Sequence, residues 1–178
     1  MRPGAGTLPA RLLAVDVEIC RRAARAQDRP FGARFFRVVS KLGDGSFWCA
    51  LAFVLPLGWG ETGLTVVARM AAVGVVSTLV AKALKTWTAR TRPFLDHPGI
   101  PAGVAPLDAG SFPSGHTLHA VAFSVVIVAD LPALAILLVP FTLSVAASRL
   151  ALGLHYPSDV AAGAAVGAGI ATAALRWF

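Results

Sequence analysis

Residues 113–130 read Pro-Ser-Gly-His-Thr-Leu-His-Ala-Val-Ala-Phe-Ser-Val-Val-Ile-Val-Ala-Asp, a polar tetrapeptide followed by an apolar run. The run contains no Lys, Arg, Asp or Glu before its last residue, as expected of a segment that enters a bilayer. Polar groups at membrane depth are energetically costly and are usually functional. The stretch therefore predicts a membrane helix whose first turn, at Ser114, Gly115 and His116, carries chemistry.

The whole chain has the composition of a membrane protein. Of its 178 residues, 56% are hydrophobic and only 14% are charged, and the mean hydropathy is +0.70. A soluble domain has about 25% charged residues. We expect an all-α, integral-membrane helix bundle of about five transmembrane helices, forming a single domain over residues 1–178 with its transmembrane core at 42–178. The apolar segments that predict these helices are 46–60, 64–84, 116–130, 131–152 and 158–178.

The segment 1–41 is basic rather than apolar. It carries nine of the 16 Lys and Arg residues in a chain of net charge +7. Such a cluster suits an anionic lipid surface better than nucleic acid, and no nucleic-acid partner is expected. Within residues 8–29, apolar side chains at helical spacing predict an amphipathic helix on the membrane surface, although a cytosolic helix packed on a partner stays open. The apolar positions are Leu8, Leu12, Val15, Ile19, Ala23 and Ala26.

Two further features predict packing rather than chemistry. Gly163 and Gly167 form a pair of small residues four apart, which permits close helix approach. We favour packing within the chain over a dimer, because a five-helix core needs tight contacts, and the oligomeric state stays open. Cys20 and Cys49 are isolated and lack the spacing of a metal site or redox motif.

Three polar clusters stand at the ends of apolar segments. Each segment crosses the membrane once, so the end of the second, the start of the third, the end of the fourth and the start of the fifth must share one face. The three clusters should therefore meet on one side of the membrane. In chain order they are Lys85 to Arg92-Pro93, Pro113-Ser-Gly-His116, and Ser148-Arg149 followed by His155 and Asp159.

The cations in these clusters predict an anion site. Acidic residues are fewer than cations in these clusters. Together, Lys85, Arg92 and Arg149 therefore favour a multiply charged anion. The planar fork of Arg fits phosphate oxygens in a bidentate manner. Ser114 and Gly115 precede a helix start, where backbone N–H groups and a hydroxyl can also bind an anion.

The two histidines supply the remaining chemistry. His155 is followed at i+4 by Asp159, and a helical turn between them would place the carboxylate against the imidazole. The carboxylate would then hold one ring nitrogen protonated and leave the other free to attack. His116 would donate a proton to the leaving oxygen. No cluster with metal-ligand spacing competes with this set, and neither a metal nor another cofactor is expected.

This combination resembles the type 2 phosphatidic-acid phosphatase superfamily, whose pattern is Lys-x6-Arg-Pro, Pro-Ser-Gly-His and Ser-Arg-x5-His-x3-Asp. All three motifs are matched, and the resemblance covers residues from about 40 to 178. It implies a metal-independent lipid phosphate or diphosphate phosphatase that forms a phosphohistidine on His155, with His116 as general acid and Asp159 as the orienting partner of the nucleophile. It also implies phosphate-holding roles for Lys85, Arg92, Ser114, Gly115 and Arg149.

The resemblance leaves the substrate and the orientation open. A polyprenyl-linked phosphate or a glycerophospholipid phosphate in the bacterial inner membrane is expected, with lipid A as an alternative. A vanadium haloperoxidase is disfavoured because those enzymes are soluble and longer, and a non-catalytic protein with a relic site is disfavoured because no motif residue is missing. The basic N-terminal segment favours a cytoplasmic site, whereas bacterial members of the family commonly place the site on the outer face.

Overall fold

The computed structural model describes residues 10–177, and every regular element in that range is helical. The all-α architecture predicted from the composition is therefore confirmed. In chain order the helices are α1 Ala10–Ala24, α2 Pro30–Lys41, α3 Phe47–Thr88, α4 Pro93–Asp96, α5 Gly115–Asp130, α6 Ala135–Ala151 and α7 Pro157–Trp177, with short 3₁₀ or π turns at Arg25–Asp28, Leu42–Ser46 and Pro132–Leu134.

The helix α3 consists of two arms that meet at Gly60. This residue has φ +53° and ψ −126°, a conformation that a residue with a Cβ rarely adopts. Beyond Gly60 the chain folds back on the first arm. The backbones of the two arms approach so closely that a Cβ on Gly63 would lie 2.2 Å from the carbonyl oxygen of Leu55. The arms correspond to the predicted segments 46–60 and 64–84, and the second continues to Thr88 at the functional end of the bundle.

The helix α5 lies at the centre of the bundle and packs against α3, α6 and α7. Its contact with α7 is close because small residues face it. A Cβ on Gly163 would lie 2.6 Å from the carbonyl oxygen of Ser114, and one on Gly167 would lie 2.3 Å from that of Leu118. The two glycines therefore pack within the chain, which is the alternative that we favour for a five-helix core.

The outside of the bundle is apolar. Ile136 is 86% exposed and Leu57 is 74% exposed, as expected of side chains that face lipid rather than water. Within residues 10–177, three helical stretches are long and apolar enough to cross a membrane: Pro30–Asp96, which includes both arms of α3, Pro132–Ala151 and Pro157–Trp177. The central helix α5 is also apolar but shorter.

The N-terminal segment forms two amphipathic helices rather than one. The predicted helix over 8–29 is α1 followed by a 3₁₀ turn, and Leu8 lies outside the described residues. A second helix, α2, begins with Pro30 at its first position, where the missing N–H is not needed. In α1 the predicted stripe at Leu12, Val15 and Ile19 is exposed. The opposite face of α1 packs against α6 and α7.

Candidate active site

Four helix ends meet at one end of the bundle, and three of them, together with the turn before α7, border a cavity of about 820 Å³. The four ends are the C-terminal ends of α3 and α6 and the N-terminal ends of α5 and α7. The structure thus brings the three polar clusters together, as the alternation of spans predicts. Ser114 and Asp159 are fully buried and are not part of the cavity wall. The other six predicted site residues line the cavity: Lys85, Arg92, Gly115, His116, Arg149 and His155.

His155 lies in the turn between α6 and α7. Its Nδ1 is 2.6 Å from the backbone carbonyl oxygen of Ser111. A carbonyl oxygen only accepts, so Nδ1 carries the hydrogen. Its Nε2 is 3.3 Å from NH1 of Arg92, which only donates. Burial lowers the pKa of His155 to about 4. The imidazole is therefore neutral at pH 7, with its lone pair on Nε2.

Asp159 contacts His155 less directly than the sequence spacing predicts. Its Oδ2 is 3.7 Å from Nδ1 of His155, beyond hydrogen-bond distance. The carboxylate instead accepts from NH1 of Arg90 at 2.5 Å, from Oγ of Ser111 at 2.5 Å and from the backbone N–H of Tyr156 at 2.8 Å. The physical reason is that α7 begins only after His155, so the pair does not share a helical turn. Asp159 positions the loop that orients His155.

The turn that carries His155 is held from the N-terminal segment. Gly153 has a φ of +69°, and a Cβ there would lie 2.5 Å from the carbonyl oxygen of Pro101. The thiol of Cys20 in α1 donates to the carbonyl oxygen of His155 at 3.3 Å, and burial raises the pKa of this thiol to about 12. Gln27 donates to the carbonyl oxygen of Pro101 at 3.2 Å. The amphipathic segment therefore covers the functional end of the bundle.

Arg90 is largely buried and connects α1 to α7. Its NH2 is 3.0 Å from Oδ2 of Asp16 in α1, and its guanidinium lies 4.2 Å from the centre of the Tyr156 ring. Asp16 also accepts from the backbone N–H of Ser158 at 3.0 Å. Together with the contact to Asp159, these bonds join α1 to the first turn of α7.

Arg149 is buried and keeps one donor unpaired. Its NH1 donates to Oγ of Ser40 in α2 at 2.5 Å, which fixes the side chain in the cavity wall. Its Nε is buried and has no hydrogen-bond partner within residues 10–177. A buried unpaired donor on a cation is costly unless an anion can bind it.

Lys85 and Arg92 share one carboxylate. Oδ2 of Asp108 is 2.6 Å from Nζ of Lys85, and Oδ1 is 2.9 Å from NH2 of Arg92. Arg92 also donates from Nε to the carbonyl oxygen of Asp108 at 3.1 Å and from NH1 to that of Leu154 at 2.9 Å. Burial tends to raise the pKa of Asp108, but the bonds and charges of Lys85 and Arg92 hold that pKa below its usual value. Asp108 is therefore ionised at neutral pH.

The Pro-Ser-Gly-His motif forms the start of α5, as predicted. Ser114 is the N-cap residue, and its Oγ accepts from the backbone N–H of Thr117 at 3.5 Å. The hydroxyl is thus used by the cap, whereas the first-turn N–H groups of Gly115 and His116 have no intrahelical partner. A Cβ on Gly115 would lie 3.9 Å from Nζ of Lys85, so this helix start faces a cation of the site.

His116 makes a contact that the sequence did not indicate. Its Nε2 contacts Oδ1 of Asp44, which comes from the π turn Leu42–Ser46. That turn bends at Gly45, whose φ is +138°. A Cβ on Gly43 would lie 3.1 Å from Val145 and 3.7 Å from the imidazole of His116. Small residues therefore let the turn approach the histidine closely.

Sequence reasoning missed four polar residues around the site. In the sequence, Asp44 and the Gly after it look like an ordinary turn, and Asp108 lies in a long loop. Ser111 binds His155 through its backbone carbonyl, and Asp16 is far from the motifs along the chain. None of these residues belongs to one of the three motifs. The excess of cations in the motifs, which calls for a nearby acid, is the one signal that could have pointed to Asp108. Among residues 10–177, no group of three or more His, Cys, Asp and Glu side chains is placed to hold a metal ion.

Residues 62–178 match the PAP2 superfamily, and the chain therefore belongs to this superfamily. It is 40% identical over 95 residues to the decaprenylphosphoryl-5-phosphoribose phosphatase of Mycobacterium tuberculosis, an alignment that covers 52% of this chain and 50% of the relative. The chain thus spans about half the length of that relative. It is 34% identical over 137 residues to the protein of the same name from Mycolicibacterium smegmatis, covering 71% of this chain and 68% of the relative.

Solved structures show the same fold. The PAP2-type phosphatidylglycerolphosphate phosphatase of Bacillus subtilis superposes with a TM-score of 0.75 at 25% identity, over 95% of this chain and 87% of that one. LpxE of Aquifex aeolicus superposes with a TM-score of 0.77 at 24% identity, over 91% and 95% of the two chains. A bacterial vanadium-dependent iodoperoxidase superposes with a TM-score of 0.80 at 13% identity, over all of this chain and 52% of the iodoperoxidase chain.

Proposed function

We propose that this chain is a membrane-bound lipid phosphate phosphatase that works through a phosphohistidine on His155 and needs no metal. The observation that carries the proposal is the state of His155. Its Nδ1–H is bonded to a backbone carbonyl, and Nε2 presents a lone pair beside Arg92 in the wall of the cavity. A neutral imidazole with one free nitrogen beside a cation is suited to attack a phosphorus atom held there.

The cations supply the charge stabilisation. Lys85, Arg92 and Arg149 line the same cavity as His155. Nε of Arg149 and the first-turn N–H groups of α5 add further donors. No existing hydrogen bond of these groups has to break before they can bind a phosphate. Fixed donors of this kind stabilise the charge that develops on phosphoryl oxygens in the transition state.

The reaction proceeds in two steps. In the first, Nε2 of His155 forms a bond to phosphorus while the bond from phosphorus to the leaving oxygen breaks, and His116 gives its proton to that oxygen. In the second, water attacks the phosphohistidine, His116 takes a proton from the water, and the nitrogen–phosphorus bond breaks. Inorganic phosphate leaves, and both histidines return to their starting states.

The apolar wall of the cavity supports a lipid substrate. From the charged end, the cavity continues along both arms of α3 and α5, where its walls include Trp48, Val67, Met70 and Phe123. A water-soluble phosphate ester has no group that would occupy such a surface, whereas a lipid phosphate has one. The phosphate would bind at the helix ends and the tail would bind along α3.

A polyprenyl-linked phosphate is the substrate class we propose first. The two mycobacterial relatives are named for a decaprenyl-linked phosphosugar, and the more extensive of the two alignments covers 71% of this chain. A glycerophospholipid phosphate is the second candidate, because the Bacillus subtilis structure is a phosphatidylglycerolphosphate phosphatase. The two candidates share a phosphomonoester on a membrane lipid and differ in the tail and in the group that carries the phosphate.

The test is phosphate release by the purified protein in detergent or nanodiscs. A panel of polyprenyl-linked phosphates, glycerophospholipid phosphates and lipid A would be assayed with excess chelator and with vanadate. We expect turnover that survives the chelator and is blocked by vanadate, which adopts the geometry of the transferring phosphoryl group. Loss of most activity in chelator, restored by magnesium, would contradict the metal-independent mechanism.

The nucleophile is tested by trapping. Wild-type protein quenched during turnover of ³²P-labelled substrate should retain acid-labile, base-stable label, and His155→Ala should retain none. His97→Ala is the matched control, because His97 lies in the loop after α4 and not in the cavity wall. Label that persists in His155→Ala would rule out His155 as the nucleophile.

A further inference from the structure

The carboxylate of Asp108 occupies the side of Lys85 and Arg92 on which a substrate phosphate would have to bind. It contacts Nζ of Lys85 at 2.6 Å and NH2 of Arg92 at 2.9 Å, and these are two of the three cations that the sequence predicts to hold phosphate. Within residues 10–177, Asp108 is the sole hydrogen-bond partner of Lys85 Nζ. A phosphate oxygen that uses the same N–H groups must compete with this carboxylate.

The two cations are more deeply buried than the acid that pairs with them. The side chain of Arg92 is 2% exposed and that of Lys85 is 14% exposed, whereas that of Asp108 is 47% exposed. Arg92 also donates from NH1 to the carbonyl oxygen of Leu154, a bond that does not involve the carboxylate. The cations belong to the buried frame of the site, and the acid contacts them from the solvent side.

The backbone of Asp108 is held by Nε of Arg92, whereas its side chain is exposed and lies outside any helix. No helix lies between α4 and α5, a stretch in which the neighbouring Leu107 is 75% exposed. Leu107 and Asp108 both line the cavity. A side-chain rotation at Asp108 would free Nζ of Lys85 and NH2 of Arg92 without disturbing a helix.

We propose that Asp108 is a displaceable internal counter-ion, whose carboxylate competes with the substrate phosphate for Lys85 and Arg92 and thereby sets the affinity of the site. The inference rests on the proposed function, since it takes these cations as the phosphate holders. In the free enzyme Asp108 neutralises two buried cations that would otherwise be costly. When substrate binds, the phosphate takes over that role, and when phosphate leaves, the carboxylate returns and favours product release.

The proposal predicts a gain of affinity, which a structural role would not give. Replacing Asp108 by Asn removes the competing charge but keeps the size of the side chain. We expect the inhibition constants of orthovanadate and inorganic phosphate to fall about tenfold, the scale of a partly exposed ion pair to two cations. KM should fall in the same ratio, and kcat should not rise, because product phosphate is held longer.

Three variants make the test specific. Asp96→Asn removes one negative charge from the same stretch between α3 and α5. Asp96 accepts from Thr91 and Tyr156 rather than from a site cation, so the inhibition constants of this variant should stay within about twofold of wild type. Asp108→Glu retains the charge and should stay close to wild type. In Asp108→Ala, added formate at constant ionic strength should weaken vanadate binding again, because it restores a carboxylate competitor.

The outcomes separate this proposal from the proposed function. If wild type hydrolyses the lipid and binds vanadate, but Asp108→Asn binds vanadate and phosphate no more tightly, Asp108 is not a competitor and the proposal is overturned. The same holds if formate has no effect on Asp108→Ala beyond its effect on wild type. If wild type neither hydrolyses any lipid phosphate nor binds vanadate, the phosphatase assignment itself is wrong, and this proposal fails with it.

Discussion

The imidazole of His155 donates its Nδ1–H to the backbone carbonyl oxygen of Ser111, 2.6 Å away. Asp159, which motif spacing would pair with His155, instead accepts from the hydroxyl of Ser111. The side chain of Ser111 thus connects the carboxylate of Asp159 to the backbone that binds His155. The same carboxylate accepts from Arg90, which in turn contacts Asp16 of α1. Helix α1 is therefore linked to His155 through a chain of polar contacts.

The first prediction concerns the protonation state of His155. Burial disfavours the charged imidazolium, so the pKa falls from an ordinary value of 6.5 to about 4. We expect ¹⁵N NMR of histidine-labelled protein to show the Nδ1–H tautomer from pH 5 to 8, with the signal assigned by its loss in His155→Asn. Titration of this signal near pH 6.5 would contradict the prediction.

The same pKa has a consequence for stability. The unfolded chain takes up a proton on His155 near 6.5, and the folded chain does so only near 4. The unfolded state therefore binds more protons in this window, and the contribution of His155 to stability is lost as the pH falls from about 6.5 through about 4. Replacing His155 by Asn should remove this part of the pH dependence of the unfolding midpoint.

The second prediction is that Asp44 supports proton donation by His116. The charged groups facing His116 are Asp44, Lys85 of α3 and Arg149 of α6, so Asp44 is the one that favours the protonated imidazole. Asp44→Asn should slow hydrolysis of an alkyl or lipid phosphate about tenfold, a fraction of the effect of a general acid itself. An activated aryl phosphate needs little protonation and should be hydrolysed at close to the wild-type rate.

The control for Asp44 is Ser46→Ala in the same π turn, where the hydroxyl of the exposed Ser46 donates to the carbonyl oxygen of Lys41. It should leave both substrates unaffected. The basic limb of the pH–rate profile of Asp44→Asn should also lie at lower pH than that of wild type. Equal slowing of the lipid and aryl substrates would indicate that Asp44 has a structural role instead.

The third prediction concerns the contact between α5 and α7. A Cβ on Gly167 would lie 2.3 Å from a backbone oxygen of Leu118, and neither backbone can yield without separating the helices. Gly167→Ala should reduce the free energy of unfolding by about 1–3 kcal/mol, the usual range for overpacking. Gly163→Ala should also lower activity, because its neighbour is the carbonyl oxygen of Ser114 at the start of α5.

Gly169 provides a matched control in the same helix. A Cβ there would have no neighbour within 4 Å, so Gly169→Ala should be neutral or slightly stabilising. Thermal unfolding in one detergent would compare the three variants. A midpoint for Gly167→Ala equal to that of Gly169→Ala would show that the helices can separate without penalty.

The fourth prediction is the orientation of the site, for which we propose the cytoplasmic side. Helix α1 packs against the turn that carries His155, so the basic N-terminal segment and the site lie at the same end of the bundle. Short segments rich in Lys and Arg stay in the cytoplasm. With Cys20 and Cys49 replaced by Ala, a cysteine at the exposed Ala102 should resist a membrane-impermeant maleimide in intact cells.

A cysteine at Glu61, beside the Gly60 turn, serves as the reciprocal control because it lies at the opposite end of the second arm of α3 from Lys85. It should be labelled without lysis, and the cysteine at Ala102 should be labelled only after lysis. The reverse pattern would place the site on the outer face.

The sequence by itself determined the helices and the meeting of the three motifs. Long apolar runs can satisfy their backbone polar groups in a bilayer only as helices, and successive crossings must alternate in direction. Lys85, His116, Arg149 and His155 therefore had to reach one face whatever the details of packing. The predicted segments 116–130 and 158–178 differ from α5 and α7 by a single residue at the ends that the structure describes.

Only the tertiary structure decided which carboxylates serve the site. Asp16 and Ser158 are 142 positions apart, and Asp108 and Lys85 are 23 apart, so no local periodicity relates them. The partner of His155 is a backbone carbonyl, which every residue possesses and no side-chain pattern reveals. The second helix α2 was also missed, although Phe31, Phe35 and Val38 recur at the spacing of an amphipathic helix. Contacts between separate loops depend on how the helices pack, and packing is a property of the whole bundle rather than of any one segment.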